Sequence, residues 1–308
     1  MNLEQITILG TGLIGGSFAL ALRKHGFRGR LVGCDRADVL EKAIARGVID
    51  AGFTDPLAAA RGSQVVLLAT PVGAIIDLIE RLGPVLPTDV LITDTGSTKG
   101  EVMARARAVF GDAAAERFLG GHPMAGKENC GIEHADAVLF SGAAWLLTPV
   151  RGQNILAGAS GAYIAMLETI GVRIITFDAA QHDRICAWVS QMPQMIATAL
   201  AGALVDEFGR PGGASAEASP LTLEDVNAVG GRALSEMTRI ASSPYSMWRD
   251  IALTNGPNLE AALHALEQRL AHLRENLRGP GLRAEFEKAN HFRRETGANG
   301  TSTCKTKR

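Results

Sequence analysis

Short apolar runs of β type alternate with helically spaced stretches through the first half of the chain. Ile6–Leu9 reads as a strand and Leu13–Lys24 as a helix; Leu31–Cys34 and Val39–Arg46, closed by Gly47, repeat the pair. Val65–Ala69 is apolar at every position, as expected of a strand in a parallel sheet covered on both faces. Helical Ile75–Leu82, β-type Leu91–Thr93, helical Glu101–Phe110 and the β-type runs Phe118–Gly120 and Ala144–Leu147 continue the series. Strands separated by helical patterns mean βαβ units, so an α/β fold with a doubly wound parallel sheet is predicted.

After Pro149 the pattern changes. Ile155–Ile170 is helical, Arg173–Thr176 is one short β-type run, and helices follow over Ile185–Phe208, Leu223–Ser242, Tyr245–Thr254 and Asn258–Arg278. Ile185–Phe208 is apolar nearly all round, which predicts burial, here against a second subunit. Pro193 within it predicts a kink. Arg210–Pro220, rich in Gly, Ala, Ser and Pro, reads as a loop. The expected division is a dinucleotide-binding domain over 1–150, an all-helical substrate and dimer domain over 151–290, and a disordered tail over 291–308, polar and small from about Gly297.

The length of 308 residues suits two domains with a core each. A formal net charge of −1 gives no electrostatic reason to expect nucleic acid or an anionic membrane as partner. Cys34, Cys130, Cys186 and Cys304 are scattered without Cys-x-x-Cys spacing, which argues for reduced thiols and against a disulfide framework or a zinc site. No metal is expected. The N-terminus lacks the basic start and long apolar core of a signal peptide, and no apolar run approaches a membrane span, so a cytoplasmic protein is expected.

The strand Ile6–Leu9 ends in Gly10-Thr11-Gly12-Leu13-Ile14-Gly15 and a helix follows. This is the Rossmann fingerprint in its strand–turn–helix setting: Gly10 for the tight turn, Gly12 for close backbone approach to a pyrophosphate, Gly15 for helix–sheet packing. Leu13 and Ile14 open the helix whose N–H groups face the phosphates. Asp35, at the end of the next strand, is placed to accept from ribose hydroxyls and to repel a 2′-phosphate, favouring NAD over NADP; Arg36 beside it pulls the other way. Thr70 and Pro71 fall at the carboxyl edge of the sheet, as cofactor contacts or as an ordinary strand-ending turn.

Asp94–Gly100 (DTGSTKG) and Gly120–Glu128 (GGHPMAGKE) also follow predicted strands, where ligands of open α/β sheets bind. Ser97 suits a helix cap with Glu101 near, and His122, in a loop between glycines and Pro123, suits proton removal from a hydroxyl.

These segments resemble the prephenate/arogenate dehydrogenases of tyrosine biosynthesis. The likeness runs through ILGTGLIGGS, Asp94–Gly100 and Gly120–Glu128 to His182-Asp183, Thr238–Pro244 (TRIASSP) and Met247–Ile251 (MWRDI), in order over about residues 5–278. It implies oxidative decarboxylation of prephenate or arogenate with hydride transfer to NAD⁺. It further implies His122 as acceptor of the ring hydroxyl proton, with Ser97 orienting His122 or that hydroxyl. Arg239 becomes the anchor of a substrate carboxylate, although pairing with Glu236 on its own helix is the alternative. Glu128 gates the pocket or holds Arg239, unless it is a solvated acid near a helix start. Trp248 walls the ring pocket, from this subunit or a neighbour, or belongs to the core. His182 is a pocket member or a helix-capping histidine. Where the family often has Ser-His-Leu-Pro-His, this chain has Ser190-Gln191-Met192-Pro193-Gln194. Ser190 and Gln194 remain substrate contacts, but without a charge to offer.

Two other readings exist. A dehydrogenase of the 6-phosphogluconate/β-hydroxyacid type would need a catalytic lysine in the second half, and no lysine lies between Lys127 and Lys288. A non-catalytic NAD-sensing protein would not need Ser97, His122 and Arg239 together.

Overall fold

The fold is that of a computed structural model describing residues 3–127, 129–209 and 221–297. Eight strands form the sheet: β1 (Gln5–Leu9), β2 (Arg30–Cys34), β3 (Ala51–Phe53), β4 (Val65–Leu68), β5 (Leu91–Asp94), β6 (Phe118–Pro123), β7 (Ala144–Thr148) and β8 (Arg173–Thr176). Their spatial order is β3-β2-β1-β4-β5-β6-β7-β8. The order reverses between β1 and β4, which leaves a crevice at their carboxyl ends.

Alternation explains why both faces are covered. In β4, Val65 and Leu67 join one buried cluster with Ile6, Ile8, Phe18, Trp145 and Tyr163. Val66 and Leu68 point the other way, into a cluster with Leu9, Ile75, Ile79, Val102 and Phe110. The helix Val72–Leu82 buries Val72, Ile75, Leu78, Ile79 and Leu82, the i, i+3, i+4, i+7 stripe that seats a helix on such a sheet.

The structure differs from the sequence reading in several places. The sheet is not wholly parallel: β7 runs antiparallel to β6, because the loop between them reverses the chain with no crossover helix. The helix Gly158–Thr169 then returns the chain so that β8 pairs parallel with β7. The sheet layer therefore runs on to Thr176, past the boundary expected at 150. Compact units of the chain are Met1–Leu259 and Glu260–Arg308, so the helices up to Leu259 belong with the sheet. In the second unit Arg269 Nη1 donates to Glu285 at 2.8 Å, and the helix Gly281–Gly297 carries regular structure past 291, where the tail was expected to begin. The expected loop Arg210–Pro220 lies outside the described residues, as does 298–308.

Pro193 has a different effect from a simple kink. Helix Ala179–Cys186 passes through a π turn, Ala187–Gln191, into helix Met192–Phe208, whose first turn holds Pro193. A proline has no N–H for the preceding turn and its ring crowds the carbonyl four residues back; a widened turn relieves both. Leu223–Ser242 likewise breaks into Leu223–Val229, Gly231–Thr238 and a 3₁₀ turn Arg239–Ser242, with Gly231 at φ +53°. Tyr245–Glu275 is continuous except at Asn255 (φ −135°), two residues before Pro257. Among the described residues no helix is long and apolar enough to cross a membrane.

Candidate active site

At the switch point a cavity of about 380 Å³ is lined by Gly10, Gly12, Asp35, Thr70 and Pro71, among others. The three glycines do different things. Gly10 has φ +95°, and a Cβ there would stand 2.4 Å from the Ala69 carbonyl oxygen. A Cβ on Gly15 would lie 2.0 Å from the Gly10 oxygen, so that glycine lets the helix Leu13–Lys24 lie against β1. A Cβ on Gly12 would meet nothing within 4 Å, leaving backbone open toward the cavity. The helix begins without a side-chain cap and without an acid in its first turn, which includes half-buried Leu13 and Ile14. Its positive end is therefore uncompensated. Asp35 accepts from Thr11 N at 2.8 Å and from Arg36 N at 2.8 Å, which holds its carboxylate at the cavity. The Thr70 hydroxyl is buried with no hydrogen-bond partner among the described residues. An open backbone cradle, a helix N-terminus, a fixed carboxylate and a spare hydroxyl fit a dinucleotide.

His122 is placed by β6 rather than by a loop, because Gly120 and Gly121 let the strand pack closely on its neighbours. A Cβ on Gly121 would lie 2.6 Å from the Asp94 carbonyl oxygen. The imidazole is buried, and its Nδ1 stands 2.9 Å from Nε2 of His182. The His182 Nδ1 in turn stands 2.8 Å from Oδ1 of Asp183. His182 is thus no helix cap; Asp178 caps its helix in a capping box with Gln181. Burial, then the nearby charges of His182 and Lys99, hold the His122 imidazole well below its ordinary value of 6.5. Burial also lowers His182, against the opposing hydrogen bond to Asp183. Both rings are neutral near pH 7.

Asp183 has a second task. Its carboxylate accepts from the backbone N–H of Lys99 at 2.6 Å and of Gly100 at 2.7 Å, capping the helix Gly100–Phe110 from outside it. Ser97 consequently neither caps that helix nor hydrogen-bonds His122: the cap position is Lys99, two residues on. Ser97 is half-buried in the same edge loop. The Lys99 ammonium and Asp94 carboxylate form an ion pair with no solvent exposure, and Asp94 also accepts from Gly96 N (2.8 Å) and Gly121 N (3.1 Å). A buried charge pair needs such added partners, and here they tie β5 to β6 beside His122.

The remaining candidates lie on the helices. Gln194 is buried and committed to the turn after it in space: its Nε2 donates to the Ile240 carbonyl at 2.8 Å and its Oε1 accepts from Ser243. This fixes the turn that carries Arg239, which is exposed. Glu236 accepts from Arg232 at 2.7 Å. Gln191 accepts from Asn255, which also donates to the Asp183 carbonyl, and its own Nε2 is buried without a partner among the described residues. Ser190 and Trp248 are half-buried, and the Trp248 indole N–H is sealed from solvent with no acceptor there. Asp250 accepts from Gly73 N at 3.1 Å, joining the MWRDI segment to the start of the helix behind β4. Glu128 lies outside the described residues. Asp183, Lys99 and Asn255 were not picked out from the sequence as site residues; the first two stood in segments already marked, but nothing in their spacing told of a contact across the fold.

Two family models match the chain. The nucleotide-binding domain of prephenate dehydrogenase matches residues 18–176, and its dimerization domain matches 178–289. The chain belongs to the prephenate dehydrogenase family. The join at 176–178 falls where β8 ends, so the family's domains follow the sheet rather than the composition change near Pro149. Prephenate dehydrogenase of Lactococcus lactis is 31% identical over 274 residues, covering 89% of this chain and 70% of that protein. A crystal structure of prephenate dehydrogenase from Aquifex aeolicus with hydroxyphenyl propionate and NAD⁺ has a TM-score of 0.79 at 29% identity, over 97% of this chain and 98% of that one. Synechocystis arogenate dehydrogenase has a TM-score of 0.74 at 27% identity, over 95% and 99%.

Proposed function

We propose that this chain converts prephenate to 4-hydroxyphenylpyruvate and CO₂ with NAD⁺ as oxidant. The observation that carries the reading is the buried line Asp183–His182–His122, which ends at the carboxyl end of β6, on the same edge of the sheet as the dinucleotide cradle at β1 and β4. A carboxylate only accepts, so His182 donates from Nδ1 and its Nε2 is an acceptor. His122 then donates from Nδ1, which leaves Nε2 with a free lone pair. That nitrogen is the base for the ring hydroxyl, and burial keeps it unprotonated and ready.

Gly10, Gly12 and the first turn at Leu13, Ile14 and Gly15 hold the pyrophosphate, Asp35 holds the adenosine ribose, and Thr70 and Pro71 line the same cavity. Asp35 disfavours a 2′-phosphate, so NAD is used ahead of NADP. NAD, when bound, supplies the hydride acceptor for the carbon that bears the ring hydroxyl. As His122 takes the hydroxyl proton, the ring carboxylate leaves as CO₂, its bonding pair completes the aromatic ring, and His122 returns the proton to the resulting phenolate oxygen. Arg239 anchors a substrate carboxylate, its planar fork matching the two oxygens. Ser97 meets the hydroxyl; Ser190 and Trp248 contribute to the far side, Gln194 fixes the turn that carries Arg239, and His182 acts through His122.

A homodimer through the helical region accounts for the exposed Trp188 and Val189 of the π turn and the exposed Val205 of the apolar helix that follows it. The free thiols Cys34, Cys130 and Cys186 suit a cytoplasmic setting. The test is an assay of purified protein with prephenate or arogenate against NAD⁺ or NADP⁺, following reduced nicotinamide. Turnover of prephenate with NAD⁺ is expected; no reduction with either substrate overturns the assignment, and faster turnover of arogenate moves it to the amino analogue.

A further inference from the structure

The side chain beside the histidine pair has no part in that chemistry. Cys186 is fully buried, with Sγ 3.6 Å from Nε2 of His182 and 3.8 Å from Nδ1 of His122. The three atoms, with 2.9 Å between the nitrogens, form a compact triangle. Around a tetrahedral zinc ion, bond lengths of about 2.0–2.1 Å to nitrogen and 2.3 Å to sulfur put ligand atoms roughly 3.3–3.6 Å apart. His182 and Cys186 stand four residues apart on the helix Ala179–Cys186, which stacks their side chains on one face. β6 brings His122 as the third ligand. Asp183 already accepts from the far nitrogen of His182, the outer partner that orients metal-ligating histidines and raises their basicity. The scattered cysteines concealed this set, because its spacing is His-x-x-x-Cys and its third ligand lies 60 residues away.

We propose that His122, His182 and Cys186 form a site for a soft divalent cation, zinc above all, whose occupancy switches the enzyme off. The ion displaces the proton shared between the two rings and the proton of the thiol. A neutral imidazole bound through Nδ1 must carry its remaining hydrogen on Nε2. The His122 proton therefore moves from Nδ1 to Nε2, and the thiol proton passes to solvent. The nitrogen that should accept a proton becomes a donor. The dinucleotide cradle and the carboxylate anchor Arg239 are untouched, so the loss falls on turnover and leaves NAD⁺ binding as it was. Residual exposure of 8% at His122, against none at the other two, places the entry on the His122 side. Burial pushes the Cys186 thiol up to about 12, so without an ion it stays a thiol and does not disturb the relay.

The switch rests on the reading of His122 as base; the cation site does not. Metal-free protein is titrated with CoCl₂, whose thiolate coordination gives a near-ultraviolet charge-transfer band, and with ZnCl₂ during turnover. Expected are a one-to-one cobalt band, loss of kcat with KM for NAD⁺ unchanged, and recovery on adding EDTA. Cys186→Ser should abolish the band, keep metal-free activity, and raise the inhibitory zinc concentration at least about tenfold, the loss seen even for outer partners of ligands. Cys186→Ala is measured beside it. A band that survives in both variants, or unmodified protein without one, overturns the site, exposed Cys130 being the other thiol within reach of solvent among the described residues. A band without inhibition overturns the switch. Failure of the substrate reading shows separately, as no turnover in metal-free protein.

Discussion

Nδ1 of His122 and Nε2 of His182 lie 2.9 Å apart inside the protein, and one proton serves both. Asp183 decides where it sits. Its carboxylate takes the hydrogen of His182 Nδ1, so the shared proton belongs to His122 and the outer nitrogen of His122 is basic. Replacing His122 by Asn should keep the strand and remove that nitrogen. Turnover is expected to fall about 10²–10⁴-fold, the range for loss of general base catalysis, with NAD⁺ affinity unchanged in equilibrium titration. A parallel loss of NAD⁺ affinity would place His122 in the cradle instead.

The depressed titration of both rings has a kinetic and a thermodynamic consequence. The working form is neutral, and burial holds His122 well below 6.5, so kcat should be flat through neutral pH and fall only well into acid. Stability follows the same groups. The unfolded chain binds protons near 6.5 that the buried rings refuse, so stability is full above that pH. It is lost as pH falls from there toward the folded values. Denaturation curves across this window should show stability declining with acid, with a shallower decline in His122→Asn.

Asp183→Asn should harm both tasks of that residue. An amide can keep one of the two backbone caps but presents N–H to the other, leaving a buried donor unpaired at a cost of about 1–3 kcal/mol. It also lets His182 and His122 adopt the other tautomer. A kcat loss on the order of 10²-fold or more is expected together with a lower Tm, by analogy with replacing the buried acid of a histidine-containing triad. A lower Tm with normal kcat would confine Asp183 to capping.

The fingerprint glycines should separate fold from binding. Gly15→Ala drives a methyl into the Gly10 oxygen and Ile8, and should cost about 1–3 kcal/mol of stability in chemical denaturation. Gly12→Ala meets nothing in the protein, so its Tm should hold while the Kd for NAD⁺ rises.

Arg239→Gln should act mainly on KM for prephenate, leaving KM for NAD⁺ near its original value. Loss of a charge-assisted bidentate contact is worth about 1.5–3 kcal/mol, roughly 10–100-fold in kcat/KM. Equal kinetics in the two proteins would exclude Arg239 from the substrate.

Much of this was legible from sequence because the signals are local. A fully apolar run such as Val65–Leu68 declares a strand buried on both faces, and a glycine fingerprint between strand and helix declares the cradle. His122 was found as a candidate by its place after a strand, and by family likeness. The strand is read from sequence only as far as Gly120, because Gly121 and Pro123 around His122 read as turn residues until the close approach of Asp94 to Gly121 explains the glycine. The three-residue β3 was missed because an edge strand that short leaves no periodicity to read.

The amino-acid sequence by itself determined the alternation of strands and helices, the dinucleotide cradle, and which residue types were available for proton transfer. These follow from periodicity and from backbone demands made within a few residues. Only the tertiary structure decided that Asp183 caps a helix begun 83 residues earlier, that it orders two histidines 60 residues apart, and that Cys186 stands against both. Proton position, burial and ligand geometry are set by groups that meet across the fold, and no local pattern records which of them will meet.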